Sequence, residues 1–246
     1  MFKNSTVLEK QIGWAAATFL LYNLIVGWKI ALLIMISVGF HESCHLMAAK
    51  KMELRTGGFY FLPFIGGAAI ITDKYKRLSQ QAFVVLAGPM GGGLLAFLTY
   101  SIFLLTGSHY PFLGYSAFCM ALLNLFNLLP LSMMDGGQLM NTISYSINRK
   151  VGFYLQIVST IAAIILLWKI NPILSIVIGI FGSHALLIEY RNQKNYQDKS
   201  WLCTDAYLNL PIPMTAKQML RVGCCWIGTA TGLICLIITL KKFSPF

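Results

Sequence analysis

The chain has 246 residues, of which 57% are hydrophobic and only 11% charged, with a mean hydropathy of +0.68. Soluble domains carry about 25% charged residues, so this composition excludes an ordinary soluble domain and indicates an integral membrane protein. The formal net charge of +11 requires a separate explanation. The six cysteines form no CxxC pair, which argues against a disulfide framework and against a cysteine zinc site.

Long apolar runs divide the chain into predicted membrane-spanning helices. At 1.5 Å per residue, a run of about 20 residues crosses the hydrocarbon core of a bilayer. The first six spans are expected near residues 12–27, 30–50, 80–105, 112–130, 151–168 and 172–190, and a seventh near 222–240. We therefore expect an all-α polytopic membrane protein. Its predicted parts are a core over 1–190, a cytoplasmic linker over 191–221, and a seventh span and tail over 222–246.

Residues 54–72 interrupt this helical pattern. The segment contains Gly57-Gly58, Pro63 and Gly66-Gly67 among aromatic and apolar residues, which favours two short strands over a helix. Backbone that is neither helix nor closed barrel is tolerated at membrane depth only where it is buried in protein or lines a wet cavity. We expect a re-entrant β-hairpin folded against the preceding helix. The alternative is an interfacial loop on the membrane surface.

The second apolar run ends in His41-Glu42-Ser43-Cys44-His45. Positions i and i+4 share one face of a helix, so both imidazoles can bind a single metal ion. Glu42 lies beside the first of them, placed to take a proton from a metal-bound water. This is the HExxH zinc pattern. The alternative is a His/Glu pair that serves only as a helix cap at the membrane boundary.

A second candidate segment runs from Asn127 to Gly137. It contains Asp135, the only acidic residue between Asp73 and Glu189. A carboxylate at the edge of an apolar span is costly unless it is paired or coordinated, which makes Asp135 a candidate site residue. The alternative is a carboxylate that caps backbone amides after Pro130, where the preceding helix ends or kinks.

The distribution of lysine and arginine predicts the orientation of the chain. With the N-terminus in the cytoplasm, only Lys29, Lys169, Lys241 and Lys242 of the 19 lysines and arginines lie on the opposite side. The positive-inside rule supports this topology, which explains the net charge without nucleic acid and places the C-terminus on the opposite side. It also places the HExxH segment and Asp135 on the cytoplasmic side, so that the two segments can form one site.

Together, these motifs resemble the site-2 protease family, the zinc metalloproteases that cut within or next to membrane-spanning helices. The resemblance extends over roughly residues 12–190 and includes the order and spacing of four segments. These are Phe40 to His45, Pro63 to Ala69, Ala87-Gly88-Pro89, and Asn127 to Gly137. The implied fold is a six-span core with a re-entrant hairpin, in a minimal form without a PDZ or CBS domain.

The resemblance implies zinc held by His41, His45 and Asp135, with Glu42 as the general base and Asn127 as a substrate-positioning or oxyanion-stabilising residue. The implied substrate is a membrane-anchored protein or peptide in the lipid bilayer, whose helix must unwind before it is cut.

The hairpin is expected to receive the unwound strand by β-augmentation, which makes Gly66 and Gly67 candidate substrate contacts. One position departs from the family pattern: relatives often carry Asn three residues after the proline of the Ala-Gly-Pro stretch, where this chain has Gly92. The small residues around Gly88 and Gly92 favour close helix packing over exposed backbone at the site.

Two other classes of function compete with a protease as interpretations of the sequence. A non-catalytic membrane scaffold, or pseudoprotease subunit, would keep the fold, but it has no need of the base Glu42. A metal transporter would need ionisable residues in several spans, and the third, fourth and fifth predicted spans contain almost none.

Overall fold

The computed structural model describes residues 3–63, 66–131, 134–169, 172–199 and 211–241. Within these ranges the helices are α1 (Lys3–Val26), α2 (Trp28–Lys51), α3 (Leu78–Leu105), α4 (Pro111–Asn127), α5 (Asp135–Ile147), α6 (Arg149–Trp168), α7 (Pro172–Lys199) and α8 (Ala216–Leu240). The strands β1 (Thr56–Leu62) and β2 (Gly66–Ile71) form an antiparallel hairpin between α2 and α3.

Four helices in the described part of the chain are long and apolar enough to cross a membrane. They cover Trp28–Lys51, Leu78–Leu105, Lys150–Trp168 and Ala216–Leu240, and the apolar helix Pro111–Asn127 is shorter. The chain is therefore mostly helical, with the composition of an integral membrane protein and one small hairpin. The six core spans and the seventh span expected from the sequence remain a prediction.

The largest difference from the predicted elements is α5. The structure ends α4 at Asn127 and begins a separate helix at Asp135. The apolar pattern of the sequence does not indicate this helix, because its polar residues interrupt the apolar run. These residues include Gln138, Asn141 and Thr142. A short helix that buries only part of its surface does not produce a continuous apolar signal.

The helices on either side of the predicted linker extend further than expected. α7 continues to Lys199 and α8 begins at Ala216. Both extensions are polar, so they do not belong to an apolar run, yet residues such as Gln, Lys and Arg are good helix formers.

By their internal contacts, the residues divide into two compact units. The first contains Met1–Lys74, Ala87–Leu125 and Thr229–Phe246, and the second contains Tyr75–Leu86 and Phe126–Gly228. The first unit carries the HExxH helix and the hairpin. The second unit carries Asp135.

Small residues allow the helices of the first unit to approach closely. Ala31, Ala96, Ala117 and Ala121 are completely buried. A Cβ added to Gly91 of α3 would overlap the Sγ of Cys44 in α2. Close packing of the small-residue cluster is therefore confirmed for Gly91, and small residues are what such close helix contacts require.

The hairpin is closed at its base by Arg55 and Asp73. The backbone N–H and the Nε–H of Arg55 donate to the two carboxylate oxygens of Asp73, each over 2.8 Å. This pairing raises the pKa of Arg55. A one-residue bulge lies between Thr56 and Phe59, where Gly58 adopts a φ of 82°, a conformation that glycine allows without steric cost.

One face of the hairpin lies on α2. A Cβ on Gly39 would lie 3.3 Å from the ring of Phe61, and a Cβ on Gly67 would lie 2.8 Å from the side chain of Val38. The expected hairpin and its packing on the motif helix are therefore confirmed. Its depth in the membrane remains a prediction.

Candidate metal centre

His41 and His45 present their Nε2 atoms to each other on one face of α2, 3.0 Å apart. Their side chains are 4% and 7% exposed. Two nitrogens bound to one tetrahedral zinc at about 2.0–2.1 Å lie roughly 3.3 Å apart. The helical i, i+4 spacing thus brings the two nitrogens to a separation that fits a single zinc ion.

Asn124 of α4 orients the first of these rings. Its Oδ1 lies 2.8 Å from Nδ1 of His41, and its Nδ2 donates to the carbonyl of Met120 over 2.8 Å. Because the amide nitrogen is used for that second bond, Oδ1 is the acceptor and Nδ1 of His41 is the donor. The proton on Nδ1 leaves Nε2 as the metal-binding nitrogen, which is how partners of this kind fix the histidine tautomer.

Asn127, and not Asn124, is the amide that the sequence pattern indicates as a site residue. Asn124 is 1% exposed, and the feature of the sequence that could have indicated it is an amide within an apolar run. Asn127 is the last residue of α4 and is half-buried.

Glycines of α3 make room for the imidazoles and for Asn124. A Cβ on Gly88 would overlap Nε2 of His45 and lie 2.7 Å from Nε2 of His41. A Cβ on Gly92 would overlap the amide of Asn124. The position at which relatives often carry Asn is therefore one where this chain needs a glycine, because Asn124 from α4 fills that space.

The side chain of Glu42 extends from α2 toward the hairpin. Its side chain is 8% exposed, and a Cβ on Gly67 would lie 2.8 Å from its Cγ and 3.0 Å from its Oε1. The backbone of β2 thus passes directly against the candidate base. A Cβ on Gly66, whose φ is 102°, would lie 3.9 Å from Cγ2 of Val38.

In the second unit, Asp135 is the first residue of α5 and is 9% exposed. It is an acidic residue in the first turn of α5, a position at which acidic side chains stabilise a helix by interacting with its dipole. Gly136 follows it, and a Cβ there would overlap the carbonyls of Leu128 and Leu129. Burial, together with the charge of Asp135, raises the pKa of Tyr75 to about 12.

The structure therefore brings His41, Glu42, His45 and Gly67 together within the first unit, with Asn124 as an addition. Asp135 and Asn127 belong to the second unit. Joining Asp135 to the two histidines remains a proposal.

Residues 29–110 match the sequence model of peptidase family M50. The resemblance to site-2 proteases is confirmed. This match includes the HExxH segment, the hairpin and Gly88, and it ends before Asn124 and Asp135.

A zinc metalloprotease of Methanocaldococcus jannaschii is 28% identical over 155 residues, which cover 60% of this chain and 39% of that protein. The M50 family match and this relative imply zinc as the cofactor, and the two-histidine geometry fits it.

Proposed function

We propose that this protein is a zinc-dependent intramembrane endopeptidase of the site-2 type. It hydrolyses peptide bonds in or next to the membrane-spanning segments of membrane-anchored proteins or peptides. The observation that carries this proposal is the pair of Nε2 atoms of His41 and His45, with Asn124 fixing the tautomer and Glu42 alongside. The match to family M50 supports a metalloprotease.

Asp135 is proposed as the third zinc ligand. Each of His41, His45 and Asp135 offers one ligand atom of a type that zinc binds. Two histidines and a carboxylate are also a ligand set of catalytic zinc sites, which keep one position open. When bound there, zinc would act as a Lewis acid and lower the pKa of a water molecule to about 7.

Glu42 is proposed as the general base. Its carboxylate takes the proton of the attacking water and later gives it to the leaving amine. Its burial excludes bulk water, so the proton remains at the site. The backbone of β2 at Gly67 leaves no side chain between the strand and the carboxylate.

The hairpin is proposed as the receptor for the substrate. A helix to be cut must unwind, because its carbonyls are held in i to i+4 hydrogen bonds. An unwound strand gains main-chain hydrogen bonds by adding to the hairpin edge. Gly66, Gly67 and Asn127 are the proposed substrate contacts, at the cytoplasmic side of the bilayer.

The test combines zinc content and cleavage in detergent-purified protein. We expect about one zinc per chain in the wild type, and a loss or sharp reduction in His41→Ala and Asp135→Ala, because each removes a ligand. Glu42→Gln should keep zinc while cleavage of a panel of membrane-anchored peptides falls by about 10²–10⁴.

Each outcome decides one part of the proposal. Full zinc in Asp135→Ala would remove the third ligand, and cleavage by Glu42→Gln at the wild-type rate would remove the base. A zinc-loaded wild type that cuts no member of the panel would favour a membrane scaffold that keeps the metal.

A further inference from the structure

Trp226 of α8 makes a long-range hydrogen bond to the segment that precedes Asp135. Its indole Nε1–H donates to the carbonyl of Leu128 over 3.0 Å, between residues 98 positions apart in the chain. Leu128 follows directly after the end of α4, where carbonyls lack partners within the helix. In an apolar setting such a carbonyl is costly to leave unpaired, so the indole gives it a defined position.

The same carbonyl touches the first turn of α5. A Cβ on Gly136 would overlap the Leu128 oxygen, so Gly136 and that oxygen are in direct contact. Leu128 is 3% exposed, and Gly136 is buried. A shift of the carbonyl therefore moves the backbone that carries Asp135.

The segment before α8 holds the other end of α5. The backbone N–H of Met214 donates to Oγ of Ser146 over 3.0 Å, and that hydroxyl donates to the carbonyl of Thr142 over 2.7 Å. Ile212 also pairs with the chain next to α3: its N–H donates to Lys76, and its carbonyl accepts from Leu78. All of these residues belong to the second unit.

We propose that the segment Ile212–Trp226, with Trp226 as a positioning residue, holds both ends of α5 and fixes Asp135 in the orientation from which it ligates zinc. This inference rests on the proposed function, since it takes Asp135 as a ligand. It gives a role to α8, whose residues lie outside the matched range 29–110.

The experiment compares Trp226→Phe with Trp168→Phe in the full-length protein. Both changes remove an indole N–H, but Trp168 is exposed at the end of α6. We expect Trp226→Phe to weaken zinc binding about tenfold, within the range for residues that support a ligand, as measured against a chelator of known affinity. The visible absorption of the cobalt-substituted protein should change, and kcat should fall while KM stays constant. Trp168→Phe should behave as the wild type.

A metal-free readout separates positioning from activity. In the apoprotein, hydrogen exchange of the amides in 134–140 should be faster in Trp226→Phe than in the wild type. Replacing Trp226 by β-(3-benzothienyl)alanine keeps the bicyclic shape and removes only the N–H donor, so it should give the same loss. If this analogue binds zinc and exchanges as the wild type does, the hydrogen bond is not the positioning contact.

Asp135→Ala, measured in parallel, separates this inference from the proposed function. Weak zinc binding in Asp135→Ala with wild-type behaviour in Trp226→Phe overturns the inference alone. Full zinc binding in both variants overturns the proposed ligand set. If Trp226→Phe does not fold, the inference is tested with Ser146→Ala, which removes the hydrogen bond from Met214. Ser101→Ala, which removes a serine hydroxyl from another helix, is its control. Ser146→Ala should bind zinc about threefold more weakly, and unchanged binding would overturn the inference.

Discussion

Among single residues, Asn124 has the clearest influence on the histidine pair. The i, i+4 spacing of His41 and His45 was readable from the sequence because a helix has a fixed period. The Asn124 contact was not, since the residues of this pair lie 83 positions apart and come from different helices. The sequence shows an amide within an apolar run, but it does not show which side chain that amide contacts.

We expect Asn124→Leu to weaken zinc binding by about 10–100-fold, because residues that orient a metal-binding histidine have effects of this size. The substitution keeps a similar volume but leaves Nδ1 of His41 without its acceptor. Asn127→Leu is the matched control on the same helix, and it should keep zinc binding while raising KM. Zinc affinities determined by chelator competition for the two variants provide the check. Equal zinc affinity in both would show that Asn124 does not orient the ligand.

At the scale of elements, the hairpin was predictable and α5 was not. Proline restricts the backbone angles and glycine frees them, so both residues mark turns. The glycines and the proline in 54–72 therefore indicate a hairpin from the local sequence alone. α5 is a short, partly buried helix, and its ends are held by contacts from distant segments, including Trp226 and Met214. Its apolar residues Leu139, Ile143 and Ile147 do recur at helical spacing, but the polar residues between them keep the segment from resembling a membrane span.

The packing of β2 on α2 gives a prediction about Gly67. Gly67→Ala would place a methyl group 2.8 Å from Cγ of Glu42, so either the strand or the carboxylate must move. We expect kcat to fall about tenfold or more, while zinc content stays constant, because the histidines are not displaced.

Ala68→Ser is the matched control for Gly67→Ala. It also adds a single heavy atom, but neighbouring strand positions point to opposite faces. Steady-state cleavage of one membrane-anchored peptide, together with metal analysis, compares the two variants. A Gly67→Ala protein with wild-type kcat would mean that β2 does not lie against Glu42 during catalysis.

For the whole molecule, charge predicts the orientation in the membrane. The structure describes four helices long and apolar enough to span, but orientation follows from lysine and arginine in the connecting segments. The predicted arrangement has the N-terminus and the site in the cytoplasm. Its physical basis is the bias against moving these cations across the membrane.

Reporter fusions measure this orientation. Alkaline phosphatase, which is active only outside the cytoplasm, should be active when fused after Phe246 and inactive when fused after Lys199. A fluorescent protein that folds only in the cytoplasm should give the reverse result. Activity of the phosphatase after Lys199 would place the polar segment on the outside and contradict the predicted topology.

The ion pair between Arg55 and Asp73 bears on the register of the hairpin. Side chains alternate along a strand, so slipping β2 by one residue would bring Ala68, with its methyl group, to the place where Gly67 meets Glu42. The pair joins the residue before β1 to the segment after β2. The bulge at Gly58 accommodates the one extra residue of β1. The hydrogen bonds at the base of the hairpin therefore favour the register in which Gly67, and not Ala68, lies beside Glu42.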